Sequence, residues 1–334
     1  MPFSVYTNVW ISGSRKLVYE KSPTSVLFDP NIKFHSFGFD AEDKYAELAF
    51  DGKANDWYFF SRFKMALYNT KTIKRSFEIV ADNGKMLPAM TVFSSCIKYL
   101  VNHLLEACSK VVTESVEKSG SGLATGSAKN MDDKPIGSED NSDTNRVRAL
   151  KRSHFRWVLT VPAIWNDAAK QFMREAAIKA GIPGDQLLIA LEPEVASIYC
   201  QSFPIPMLPG LKNDFVQLQP GDKYLILDAG GGTIDVTVHK VHHDGTLREL
   251  HAASGGDWGG TKVDKAFNDL LLNIVGNVVM KKVDRNDKWA YLDLFREFEV
   301  KKRTITPGMA GCIRMTVPFA FSETYKEERR REVK

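Results

Sequence analysis

The residues best able to do chemistry lie between Tyr224 and Lys240, in the stretch YLILDAGGGTIDVTVHK. An apolar run from Tyr224 to Leu227 ends in Asp228, and Gly230, Gly231, Gly232 and Thr233 follow. Ile234, Val236 and Val238 then alternate with Asp235, Thr237 and His239. Period-two alternation after a glycine-rich break predicts strand, tight turn, half-buried strand. Three glycines permit positive φ and let the backbone come within hydrogen-bond distance of a bulky anion, for which a nucleotide phosphate chain is the natural guest. Asp228, closing the first strand at the mouth of the turn, is placed to hold a hydrated divalent cation beside phosphate oxygens. A hairpin with no ligand is the other reading, but it needs only one or two special residues where this turn has four in a row.

Three further clusters bear on the same chemistry. Glu192-Pro193-Glu194 follows the strand-like run LLIAL at 187–191, so Glu192 stands at the carboxyl end of a strand, where ligands of open α/β sheets collect. It is a candidate general base or cation-orienting group; equally, both acids suit a helix N-terminus and need do nothing more. SGGDWGG, from Ser254 to Gly260, opens onto the helical pattern VDKAFNDLLLNIV, which predicts free N–H groups aimed at an anion. Glu299, Lys302 and Arg303 in FREFEVKKRT stand at helical spacing and, taken alone, read as salt-bridged surface charges. His239, His242 and His243 read as part of a solvated turn, lacking an acid or cysteine at matching geometry for a metal. Gly120, Gly122 and Gly126 in GSGLATG miss the dinucleotide fingerprint by one residue and follow no apolar strand.

The elements that must position these groups read as an α/β protein. Short strands are predicted over residues 1–30, with a turn at Ser12-Gly13-Ser14. WYFFSRFKMALY at 57–68 reads as a helix carrying Trp57, Phe60, Lys64, Leu67 and Tyr68 on a core-facing stripe. FEIVADNGKMLPAM is a hairpin with Asn83-Gly84 in a type I′ turn. Val92, Cys96, Ile97, Leu100, Val101, Leu104 and Leu105 mark an amphipathic helix. RWVLTVP is a strand, Asn166 or Asp167 caps a helix with Ala169, Phe172, Met173, Ala176, Ala177 and Ala180 on one face, Gly181 ends it, and LLIAL reads as a buried strand. From Ser202 to Gly221 runs a proline-containing connection.

Composition bounds the class. The 334 residues are 43% hydrophobic and 26% charged, enough for about two domains with proper cores. Forty-five basic against forty-one acidic residues, a formal charge of +4, with no basic block interleaved with aromatics, do not point to nucleic acid. Four scattered cysteines form neither a zinc signature nor a disulfide framework and favour a reducing, cytoplasmic setting. No apolar run approaches a membrane span and the N-terminus has no secretory h-region, so neither insertion nor secretion is expected.

LILDAGGGTIDVTVHK, with VLTVPAIWNDAAKQFMREAAIKAG and LIALEPEVASIYC before it, resembles the phosphate-binding and connecting motifs of the seventy-kilodalton heat-shock proteins. These belong to the actin-like ATPase superfamily, whose fold is ribonuclease H-like. HSFGFDAEDKY, QLLIALEPE, AASGGDWGG and FEVKKRT narrow the resemblance to the divergent heat shock 70 kDa protein 12 family, over nearly everything from Lys21 to Phe321 apart from the loop and the connection. The resemblance implies an ATP/ADP and Mg²⁺ site between two lobes. Gly230, Gly231, Gly232 and Thr233 would bind the phosphates, and Asp228 the hydrated magnesium. Glu192 would order the attacking water, Asp235 would support water or cation, and Lys64 would reach the γ-phosphate. Glu299, Lys302 and Arg303 would cover the adenosine. Protein clients or co-chaperones would be the partners; no oligomeric state follows.

The expected units are 1–113, the N-terminal part of the first lobe; 114–150, a disordered loop; 151–220, the first lobe's core and connecting motif; 221–260, the second lobe's core with the phosphate hairpin; and 261–334, its peripheral part. The family clamps nucleotide between two hairpins, and the D-x-G-T-T of the first has no counterpart in this sequence. The same holds for the Gly-Gly motif on the far side of the adenosine. The fold is thus expected to be incomplete, lacking the first phosphate hairpin and the C-terminal part of the second lobe. Two functions are carried forward: an ATP-binding relative of chaperone ATPases, and a truncated, catalytically silent interaction module.

Overall fold

The structure is a computed structural model describing residues 7–11, 18–70, 72–120, 155–202 and 218–332. Short aromatic and β-branched runs form the first strands. β1 (Trp10–Ile11) pairs antiparallel with β2 (Val18–Tyr19), while β3 (Ser25–Phe28) lies between β4 (Phe34–Phe37) and β5 (Tyr58–Ser61), antiparallel to both. Helix α1 (Phe39–Phe50) joins β4 to β5. The Ser12-Gly13-Ser14 turn lies outside the described residues.

The run from Trp57 to Tyr68, expected as one helix, divides in two. Its aromatic half is β5, with Phe60 opposite Val26 on β3, and its second half is the short helix α2 (Lys64–Asn69). Between them Arg62 takes φ 52°, a left-handed conformation that no continuous α-helix contains. Phe60 and Leu67 therefore reach the same core from different elements. The hairpin of β6 (Glu78–Val80) and β7 (Met86–Pro88) forms as expected, but its turn is not type I′. Only Gly84 has positive φ, and its N–H donates to Ala81 O. That is a type I turn closed by a left-handed glycine.

Helix α3 (Ala89–Gly120) buries Val92, Cys96, Ile97 and Val101, leaving Leu100 and Leu104 exposed. Its backbone runs to Gly120, inside the stretch 114–150 expected as loop; 121–150, with Gly122 and Gly126, lies outside the described residues. β8 (Trp157–Val161), α4 (Asp167–Lys179) and β9 (Leu187–Leu191) then make the expected strand–helix–strand unit, the strands parallel. The Asn166 side chain accepts from Ala169 N–H at 2.9 Å, satisfying one of the helix's orphan donors. β9 is less buried than its apolar run suggests: Leu187 is buried while Leu188 is 59% exposed. Helix α5 (Glu192–Ser202) follows directly, and most of the proline-containing connection lies outside the described residues.

The last third carries β10 (Lys223–Ala229), β11 (Ile234–Val241) and β12 (Leu247–Gly256), an antiparallel sheet in that order. Helices α6 (Gly260–Val275), α7 (Asn277–Asn286), α8 (Lys288–Lys302) and α9 (Phe319–Glu332) complete it. Hydrophobic burial is concentrated in two main clusters. One joins Val26, Phe60, Leu67 and Val92 to Trp157, Val161 and the inner face of α4, and the other gathers Leu271, Val283, Leu294 and Phe321 from the last four helices.

Buried ions tie α8 to the N-terminal elements. The Arg296 guanidinium lies 2.8 Å from both Glu42 Oε2 and Asp43 Oδ1 of α1, with Arg296 only 9% exposed. Ser25 Oγ donates to the other Glu42 oxygen at 3.0 Å. At the first residue of α8, Lys288 sits 3.0 Å from Asp82 and 2.7 Å from Asp284. Burial opposes its ammonium, and Asp82 and Asp284 together outweigh that, so its pKa stands above the ordinary lysine value. Removing one member of a buried charge set strands the others, at a cost of about 3–5 kcal/mol. Arg296→Met should therefore lower the unfolding free energy obtained from urea titration by that order, and adding Glu42→Gln should restore part of the loss. An Arg296→Met protein as stable as wild type would show that the α1–α8 contact is not made in solution.

Candidate functional site

The predicted hairpin forms, with Asp228 opposite Asp235 and Ala229 opposite Ile234. Its turn, Gly230 to Thr233, is closed by Gly230 N–H donating to Thr233 O at 3.0 Å. None of its three glycines takes positive φ. They serve close approach instead. A Cβ on Gly230 would stand 3.0 Å from Thr233 O, and one on Gly232 only 2.6 Å from Met65 Sδ of α2, whereas one on Gly231 would meet nothing within 4 Å.

The second glycine-rich loop does something other than the sequence suggests. Its N–H groups are not free for an anion: Gly259 donates to Gly232 O at 3.2 Å, Gly260 to Gly230 O at 3.1 Å and Thr261 to Gly231 O at 2.8 Å. The start of α6 is thus capped by the carbonyls of the hairpin turn. Gly259 has no room for a side chain, since its Cβ would lie 2.6 Å from Gly230 O and Gly231 O. With the turn's carbonyls committed to α6, the amides of Gly231, Gly232 and Thr233 have no backbone partner among the described residues. Unpaired successive amides of this kind make an anion-binding concavity.

Side chains gather around this turn. The first turn of α2 supplies Met65 against Gly232, and its Lys64 Nζ lies 2.6 Å from Glu192 Oε1 at the start of α5. That ammonium also stands 5.7 Å above the Trp165 ring. The Asp228 carboxylate has no hydrogen-bond or ion-pair partner among the described residues. Asp235, opposite Asp228 on the same face of the sheet and 1% exposed, is engaged elsewhere: its Oδ1 accepts the N–H of Ile164 at 2.9 Å, joining β11 to the β8–α4 turn. On the other side of the turn, Lys302 Nζ lies 3.8 Å from a Cβ built on Gly260 and 2.7 Å from Asp264 Oδ1. Lys302 and Arg303 both pair with Glu299. The structure thus brings Lys64, Glu192, the glycine turn and Lys302 to one place, and leaves Arg303 58% exposed at the margin.

Two participants were missed in the sequence. Asp264, 7% exposed, accepts from Lys302 and, through Oδ2 at 2.7 Å, from Arg62. An acid near the start of α6 looks like a complement to the helix dipole, so polarity alone does not mark it. Arg62 gives no signal beyond lying between two apolar runs. The inward face of β11 is also the unexpected one. Asp235, Thr237 and His239 are buried, whereas Ile234, Val236 and Val238 are half-buried and Leu225 and Leu227 of β10 are about 60% exposed. The polar face is held by α5, where Ser197 Oγ meets Tyr224 OH at 2.7 Å. His239 packs edge-on against Tyr224, away from the His242–His243 turn, so the three histidines do not converge.

A glycine hairpin docked on a helix start thus stands beside a parallel strand–helix–strand unit ending in an acid, in a mixed α/β protein whose family match supports an actin-like ATPase fold. The sequence model described as Hsp70 protein matches residues 146–327, more than half of the chain, and the chain belongs to that family. It is 33% identical to Heat shock 70 kDa protein 12B of Homo sapiens over 96% of this chain and 48% of the relative. Heat shock 70 kDa protein 12A of Mus musculus is 32% identical over 96% and 49%. A chaperone protein DnaK from Thermoplasma volcanium is 30% identical over 47% of this chain and 23% of its own length. The chain spans about half the length of the protein 12 relatives it matches. Among the described residues no helix is long and apolar enough to cross a membrane.

A methyl forced against backbone costs about 1–3 kcal/mol, and a kcal/mol moves the melting temperature of a protein this size by a few degrees. Gly259→Ala should accordingly melt several degrees lower, while Gly231→Ala should melt with the wild type. Equal melting of the two variants would mean that the loops are not paired as described.

Proposed function

We propose that this chain binds Mg-ATP on the Asp228–Thr233 turn. The observation that carries the proposal is the set of amides at Gly231, Gly232 and Thr233, turned outward by the docking of the turn on α6 and standing beside an unpartnered carboxylate. The residues fit the ligand: the space in front of Gly231 is open, and Asp228 is a hard oxygen donor with no competing cation, as a hydrated Mg²⁺ requires. Asp228 would hold the Mg²⁺ through its water, and the ion would supply neutralisation of phosphate charge.

In this reading the nucleotide lies between two lobes that meet where α2 touches the hairpin and where α1 touches α8. The Lys64–Glu192 pair supplies the terminal groups. Lys64, 43% exposed, turns from Glu192 to the γ-phosphate, and Glu192 is then free to order water. Asp235 acts mainly as a positioning residue, because Oδ1 is held by Ile164 and only Oδ2 remains for water or cation. Glu299, Lys302 and Arg303 form the adenosine side, with Asp264 fixing Lys302. The described contacts amount to one phosphate hairpin and one side of a base pocket.

Titration calorimetry with Mg-ATP tests the proposal. The expected result is binding that Gly231→Val abolishes with little change in the melting temperature, since the new side chain enters the ligand's space and its Cβ has no protein atom within 4 Å. Neither heat nor a thermal shift at millimolar Mg-ATP would overturn it.

A further inference from the structure

An open pocket of about 490 Å³ lies away from the glycine turn, between the segment after α2 and the outer ridge of α4. Its floor is apolar: Ile73 and Met90 pack on the first core, and Phe172, 7% exposed, is fixed edge-on against Phe93. The wall is held too, since Thr70 Oγ1 caps Ala66 O at 2.7 Å and Phe77 N–H donates to Lys74 O at 3.0 Å. Three cations, Lys74, Arg75 and Lys179, line it against a single carboxylate, Glu175. That carboxylate accepts from Gln171 Nε2 at 3.0 Å, and none of the three cations has an ion-pair partner among the described residues.

A pocket of this volume lies within the range of small-molecule sites, about 300–1,000 Å³. Its chemistry is divided. The floor rewards an apolar body, and the rim concentrates positive charge where two lysine ammoniums and a forked guanidinium can meet anionic oxygens. Inorganic phosphate would leave the floor wet, and a neutral hydrocarbon would leave the cations unmatched. We infer that this pocket is a second binding site, for a small organic anion with an apolar body, such as an alkyl phosphate or carboxylate. It shares no residue with the glycine turn and does not depend on nucleotide.

Methyl NMR of the full chain labelled at methionine reads the site directly through Met90, its signal assigned with Met90→Leu. Octyl phosphate below its micelle concentration should shift the Met90 methyl saturably. Lys74→Glu with Lys179→Glu should weaken that binding by about tenfold or more, with the other methionine methyls unmoved by the substitutions as evidence of an intact fold. The inference is overturned if the Met90 methyl does not respond at millimolar octyl phosphate. It is equally overturned if uncharged octyl glucoside or inorganic phosphate binds as tightly, or if the charge reversals in an intact fold change nothing.

Discussion

The candidate site depends on a backbone contact between two glycine-rich loops. Three carbonyls of the Gly230–Gly232 turn accept the first three N–H groups of the α6 start. A peptide plane whose carbonyl points one way points its N–H the other way, so the contact that caps α6 also turns the amides of Gly231, Gly232 and Thr233 away from α6. The contact requires that neither loop carry a Cβ at its closest point, which is why Gly259 faces the Gly230 and Gly231 backbone with no space between. Glycine here provides proximity rather than left-handed backbone.

Charge holds the surrounding elements in register with that contact. Asp264 leaves α6 and joins Lys302 of α8 to Arg62 between β5 and α2. The same α8 carries Arg296 into the acids of α1, and Lys288 into Asp82 and Asp284. Because β5 leads through Arg62 to Lys64, these ion sets fix where α2 meets the turn, with Met65 on Gly232 and Lys64 on Glu192. Once desolvation is counted such pairs add little net stability, although removing one partner is costly. Geometry is what a phosphate site requires.

Much of this was legible in the sequence, for identifiable reasons. The hairpin around Asp228, the β8–α4–β9 unit, the Asn166 cap and the buried face of α4 follow from local periodicity and turn chemistry, which act over a few residues. Errors arose where a distant element decided the outcome. The aromatics from Tyr58 to Ser61 became strand because β3 offered an edge to pair with. The amides of Gly259 and Gly260 were taken by carbonyls of a turn that lies earlier in the chain. β11 buries Asp235, Thr237 and His239 because α5 and the Ile164 amide lie on that face. Asp264 gave no sign because its partners, Arg62 and Lys302, are brought to it only by the fold.

The central claim is that the turn's outward amides receive phosphate. Amide NMR of glycine-labelled protein measures this directly. On addition of Mg-ATP the account predicts large shifts at Gly231 and Gly232, with Gly52 and Gly245 in distant turns unmoved. Saturable nucleotide binding that leaves Gly231 and Gly232 unshifted would contradict it.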